Sequence, residues 1–142
     1  GIGTIHFSLG NPTGSITTIE GCKETHHIAN ENFQQVGTTN ITSICSTFQS
    51  YIDTKPTQKF DFLFIDGHHD GKALLSYCEA LKPNIHDTTM IIIDDIRWSD
   101  SMYEAWERLK NSADYHVSID LFRMGIIVPR KGQVKEHFIV KF

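Results

Sequence analysis

Phe60-Asp61-Phe62-Leu63-Phe64-Ile65-Asp66-Gly67-His68-His69-Asp70 is the stretch whose reading decides the fold. Its first six residues are too apolar for a strand with one solvated face. They predict a strand buried on both sides, as in a parallel sheet covered by helices. The run stops abruptly on an acid and a glycine, the signature of a turn out of the sheet. Met90-Ile91-Ile92-Ile93-Asp94-Asp95 repeats the plan, with four apolar residues running into two acids.

Between these strands, Ala73, Leu74, Tyr77 and Leu81 recur at helical spacing and stop near Pro83 and Asn84. Upstream, Ser15–Ile19 is β-branched and follows the turn signal Asn11-Pro12-Thr13-Gly14. Cys22, Thr25, Ala29, Phe33 and Val36 form a helical stripe, with Gly37 at the position of a C-terminal cap. Ile41–Cys45 is a further short strand. Downstream, residues 99–111 form a helix with Met102, Ala105, Trp106 and Leu109 on its apolar face, and Ser101 with Glu104 has capping-box spacing. Three strand-like runs close the chain: His116–Leu121, Met124–Val128 and His137–Val140. No helix-length pattern separates them, so they are expected to pair antiparallel. Strands alternating with helices predict an α/β fold with a mainly parallel sheet and an antiparallel C-terminal edge, built as one domain over residues 1–142.

Composition narrows the function. The chain has 142 residues and a formal net charge of −4, with acids and bases interspersed. That excludes a nucleic-acid binder that grips phosphates through a basic face. No apolar run is long enough to span a membrane. Cys22, Cys45 and Cys78 form no C-x-x-C pair and are expected to be small core residues in a reducing, cytoplasmic setting. The opening Gly1-Ile2-Gly3-Thr4 reads as the middle of a longer sequence.

In an open α/β sheet, ligands bind beyond the carboxyl ends of the parallel strands. There the sequence places Glu20-Gly21, Ser46-Thr47-Phe48, Asp66-Gly67-His68-His69-Asp70 and Asp94-Asp95-Ile96-Arg97-Trp98. Glu20 can accept two hydrogen bonds from a ribose diol, or serve as an acid near a helix N-terminus; position leaves both open. Asp66, Asp94 and Asp95 are hard oxygen donors suited to magnesium or another divalent cation, or else caps of the segments that follow. His68 and His69 can act as ligand, base or supporting donor. Trp98 is expected to staple onto the helix it precedes, with a substrate cover as the alternative; Trp106 is expected in the core.

The order TIEG (18–21), DFLFIDGHHD (61–70) and MIIIDDIRWSD (90–100) resembles the class I S-adenosylmethionine-dependent methyltransferases. It is most similar to the metal-dependent O-methyltransferases of the catechol and caffeoyl-coenzyme A type, and to bacterial relatives with an F-I-D-G-x-H motif. The resemblance implies a Rossmann-like three-layer sandwich and O-methylation of a small hydroxylated molecule. It implies that Glu20 holds the ribose of adenosylmethionine, with Gly1, Gly3, Gly21, Thr47, Phe48, Asp66 and His68 also at the cofactor. It assigns the metal to Asp66, Asp94 and Asp95. The family's catalytic lysine falls on His69, which can take a hydroxyl proton near neutral pH. Gly1-Ile2-Gly3-Thr4 matches the end of the glycine-rich loop. The central strand that precedes this loop in the family has no counterpart, so an N-terminally trimmed chain is expected. The partner implied is a small-molecule substrate, and a homodimer is compatible with the pattern. A metal-dependent hydrolase built on Asp66, His68, His69, Asp94 and Asp95 is the competing enzyme class. A nicotinamide-binding protein and a non-catalytic remnant of a methyltransferase also stay open.

Overall fold

The computed structural model describes residues 1–141. The chain divides into two compact units, Gly1–Lys55 and Pro56–Phe142.

In the first unit, helix α1 (Ile2–Gly10) leads into strand β1 (Ile16–Glu20), helix α2 (Lys23–Val36), strand β2 (Ile41–Cys45) and the short helix α3 (Phe48–Asp53). β1 and β2 pair in parallel, from Ile16 opposite Ile41 to Glu20 opposite Cys45. Ile5 of α1 and Ala29 and Phe33 of α2 form a small core with Ile41 packed on it. Gly37 ends α2 in the left-handed conformation, φ 75°, and its amide bonds the Phe33 and Gln34 carbonyls, as a C-terminal glycine cap should.

The second unit contains β3 (Phe60–Ile65), α4 (Gly71–Ala80), a 3-10 turn (Lys82–Asn84), β4 (Ile85–Ile93), α5 (Asp100–Asn111), β5 (Val117–Asp120), β6 (Gly125–Val128) and β7 (Glu136–Ile139). Its sheet runs β3-β4-β6-β5-β7. β3 and β4 are parallel, with Ile65 opposite Ile93, so Asp66 and Asp94 leave neighbouring strands at the same level. β6 is antiparallel to both β4 and β5.

β7 corrects the expected antiparallel ending, because it pairs with β5 in parallel. The last three strands still alternate in direction, as short connections require. β6, however, is inserted between β4 and β5, so neither of its edges is free. β7 therefore takes the open edge of β5, where alternation makes it parallel.

The stripes of α4 and α5 pack on one face of this sheet. Leu74, Cys78, Met102, Ala105, Trp106 and Leu109 meet Ile91, Ile93 and Ile127, with Leu63 and Ile65 against them. Trp106 is fully buried, as its spacing predicted. It lies so close to β6 that a Cβ on Gly125 would collide with its indole ring. The expectation that β3 is covered on both faces is not met. Side chains alternate along a strand, and while Leu63 and Ile65 face the helices, Phe62 and Phe64 are 38% and 40% exposed.

Two smaller expectations are also corrected. The cap of α5 is Ser99, whose hydroxyl accepts the Met102 amide at 3.3 Å; Ser101 instead accepts the Gly71 amide that opens α4, at 3.2 Å. Of the cysteines, only Cys78 is buried. Burial pushes its thiol up to about 12, so it is inert. Cys22 and Cys45 are exposed, because the first sits at the N-cap of α2 and the second ends β2. No helix among the described residues is long and apolar enough to cross a membrane.

Candidate functional site

The first unit presents Glu20 at the carboxyl end of β1. One carboxylate oxygen, Oε1, accepts the Cys22 amide at 2.9 Å, across the turn that starts α2. One oxygen therefore braces the start of α2. Across the β1–β2 pair, the Ser46 amide donates to the Glu20 carbonyl at 3.0 Å, which keeps the two strand ends level. Thr47 caps α3, its hydroxyl accepting the Ser50 amide at 3.1 Å, and Phe48 opens that helix. A Cβ on Gly21 would meet only the Ser46 carbonyl at 3.8 Å, and one on Gly3 would meet nothing. Gly1 has a packing reason of its own: a Cβ there would lie 2.8 Å from Ala29 and from the Phe33 ring.

The second unit gathers a denser set of groups. The loops after β3 and β4 carry Asp66, His68, His69, Asp94, Asp95 and Trp98, and the β5–β6 hairpin adds Arg123. His69 Nε2 lies 4.0 Å from Asp95 Oδ2, and its ring is 5.3 Å from that of Trp98, tilted by 34°. The other oxygen, Asp95 Oδ1, accepts a hydrogen bond from Arg123 Nη2 at 3.1 Å. Asp94 Oδ1 accepts the Asp95 amide at 2.9 Å. His68 turns elsewhere, with Nδ1 3.0 Å from the Tyr77 hydroxyl. Asp70 is consumed in capping α4, where it accepts the Ala73 amide at 2.8 Å.

Backbone strain is concentrated in these loops. His68, His69 and Asp95 have φ of 67°, 26° and 49°, and Phe122 beside Arg123 has 70°. Left-handed non-glycine residues are uncommon and persist where the surroundings over-determine them, typically at working sites. Electrostatics agrees with the placement. Partial burial, then the Asp94 charge, raises the Asp66 pKa above the usual carboxylate range; His69 opposes this and Asp95 adds to it.

The expected metal triad does not assemble. Among the described residues no group of three or more His, Cys, Asp or Glu side chains is arranged to hold a metal ion. Both oxygens of Asp95 face cationic or imidazole partners, and one oxygen of Asp94 is taken by a backbone amide. The hydrolase alternative needs ion-holding clusters of the same residues and meets the same obstacle.

Trp98 is not a staple, since it is 66% exposed with its ring against His69. Arg123 was missed by sequence reasoning. It stands 28 positions from Asp95 in a turn whose residues carry no periodic signal.

A sequence profile described as a methyltransferase domain matches residues 2–96, two-thirds of the chain. The chain belongs to this methyltransferase family. The match spans α1 to the loop after β4, and so includes Glu20, Asp66, His69 and Asp95.

Solved structures of similar fold agree with the family. One is described as a candidate caffeoyl-CoA O-methyltransferase from Staphylococcus aureus: TM-score 0.77, 15% identity, 89% of this chain and 69% of that one. Another is an O-methyltransferase from Bacillus cereus in complex with S-adenosylhomocysteine: TM-score 0.65, 16% identity, 81% of this chain and 63% of that one. A protein from Corynebacterium glutamicum gives a TM-score of 0.71 at 12% identity, over 84% of this chain and 62% of that one. At these identities the likeness is one of fold, and it is the Rossmann-like fold expected from the sequence. The methyltransferase-family chain spans under two-thirds of the last two structures. No curated protein matches it.

Proposed function

We propose that the chain carries out adenosylmethionine-dependent O-methylation of a small hydroxylated acceptor, with His69 as the base and Glu20 as the ribose holder. The observation that carries this reading is the pairing of His69 with Asp95 at the carboxyl ends of β3 and β4. An acid turned to one ring nitrogen orients the imidazole and leaves the other nitrogen to take a proton. Here Nε2 faces Asp95, so Nδ1 is the acceptor of the substrate's hydroxyl proton. Imidazole is suited to that task near neutral pH. The chemistry of the similar B. cereus protein, solved with adenosylhomocysteine, supports the same choice of methyl donor.

When bound, adenosylmethionine supplies a methyl carbon activated by its sulfonium sulfur and departs as adenosylhomocysteine. His69 Nδ1 receives the hydroxyl proton. Trp98, exposed beside the imidazole, supplies an apolar wall on which an acceptor can settle and from which water is displaced. Holding the acceptor hydroxyl against His69 and oriented toward the methyl donor supplies much of the rate, since orientation alone is worth several orders of magnitude.

Calorimetric titration of the whole chain with adenosylhomocysteine tests the reading. Glu20→Ala should weaken binding by about 1.5–3 kcal/mol, the usual worth of hydrogen bonds to a charged group. Unchanged affinity would remove Glu20 from the cofactor. Absence of binding by the unaltered chain would remove methyl transfer itself. Asp66 and His68, carried over as cofactor contacts, are tested the same way with Asp66→Asn and His68→Ala.

A further inference from the structure

We propose that the acidic rim of the second unit is engaged by its own side chains, with the Arg123 guanidinium seated on Asp95, so that the chain takes no divalent ion there and Arg123 stands where the charge of a metal would be needed. The inference rests on the methyl-transfer reading of this rim for its functional meaning, but its evidence is separate.

Asp66, Asp94 and Asp95 follow the ends of the neighbouring strands β3 and β4, where like charges ordinarily call for a counter-charge. The structure provides one. Arg123 reaches across from the β5–β6 hairpin and donates from Nη2 to Asp95 Oδ1 at 3.1 Å, while His69 faces Oδ2 at 4.0 Å. Asp94 gives one oxygen to the Asp95 amide at 2.9 Å. A magnesium-sized ion needs several oxygens at about 2.0–2.1 Å in octahedral order. To use Asp95 it would have to displace a charge-assisted bond and approach a guanidinium already on that carboxylate. The hairpin that delivers Arg123 is itself fixed: the Ile96 amide donates to the Arg123 carbonyl at 2.9 Å, and Arg97 grips Asp120 and the Phe122 carbonyl. Arg123 is therefore held at the rim by its backbone, although its side chain is largely exposed.

A consequence follows for the acceptor. A metal-assisted site holds two substrate oxygens on the ion. A site run by His69 needs one acceptor hydroxyl to give up its proton. Arg123 is a positioning residue in this scheme: it holds the Asp95 carboxylate in place while Asp95 aims His69.

Manganese, which favours carboxylate oxygen as magnesium does, can be followed directly by electron paramagnetic resonance. The unaltered chain should leave Mn2+ free up to about 10 mM, because no complete oxygen set is available. Arg123→Ala should bind it at least about tenfold more tightly, because the ion then competes with no guanidinium for Asp95. Arg123→Gln should behave alike, and adding Asp95→Asn to either should abolish the gain. Saturable micromolar binding by the unaltered chain overturns the proposal, and so does an absence of gain in both Arg123 variants. Adenosylhomocysteine titration in EDTA, run alongside, reports on the methyl-transfer reading independently of either result.

Discussion

Arg97 grips Asp120 with both arms of its guanidinium, Nη1 to Oδ1 at 2.8 Å and Nη2 to Oδ2 at 2.7 Å, across 23 residues of sequence. The Asp120 side chain is almost wholly buried and Arg97 about one-third exposed. The pair ties the loop that carries Asp95 and Trp98 to the hairpin that carries Arg123. Arg97→Ala should therefore cost about 2–3 kcal/mol of stability, since it strands a buried carboxylate whose paired geometry was bidentate. Chemical denaturation of the two chains measures it. A loss under about 0.5 kcal/mol would class the pair with ordinary surface ion pairs.

The same pair sets an acid limit. The hydrogen bonds from Arg97 hold the Asp120 carboxyl below the usual carboxylate range, with burial opposing. A lowered folded-state pKa gives stability that is full above the unfolded value, about 3.9, and is lost as pH falls through the folded one. Melting temperature should drop progressively below about pH 4–5, and the slope there should be shallower in Asp120→Asn. Parallel slopes would remove Asp120 from the acid transition.

Asp66 has the opposite sign. Its pKa is raised by partial burial and by Asp94, so its charged form is resisted by the fold. Asp66→Asn should leave the melting temperature at pH 7 unchanged or higher, while methyl transfer falls. Working sites commonly trade stability for charge in this way. A clear loss of stability in Asp66→Asn would mean that its carboxylate is a structural partner instead.

Trp98 separates folding from function. With 66% of its surface exposed, Trp98→Ala should change stability by less than about 0.5 kcal/mol, as surface substitutions do. Its fluorescence, lying beside His69, should respond to acceptor binding, whereas that of the buried Trp106 should not. Loss of folding in Trp98→Ala would restore the hydrophobic staple expected from the sequence.

Gly125 is required by its neighbour. A Cβ at this position collides with the Trp106 indole, so Gly125→Ala should destabilise the second unit by about 1–3 kcal/mol, the usual penalty of overpacking a filled core. Substituting Gly3, where a Cβ meets nothing within 4 Å, serves as the control.

The sequence by itself determined the elements with a strong local period. β2 and β3 lie where their β-branched and apolar runs place them, α5 spans its four-residue stripe, and Gly37 caps α2. It also determined that Glu20, Asp66 and Asp94 stand at the carboxyl ends of parallel strands, because an acid directly after an apolar run can only be at the strand's tip. α1 and the six-residue α3 escaped, the first lacking a clear stripe and the second too short to show a period. Tertiary structure alone decided which edge β7 joined, which face of β3 stayed exposed and which serine capped α5. It also decided the partner of Asp95. Arg123 meets Asp95 only because β6 enters the sheet beside β4, and that pairing depends on edges, packing and backbone bonds far apart in sequence. Periodicity reports what a residue does within its own helix or strand; an ion pair between loops is a property of how strands are ordered, which no local pattern encodes.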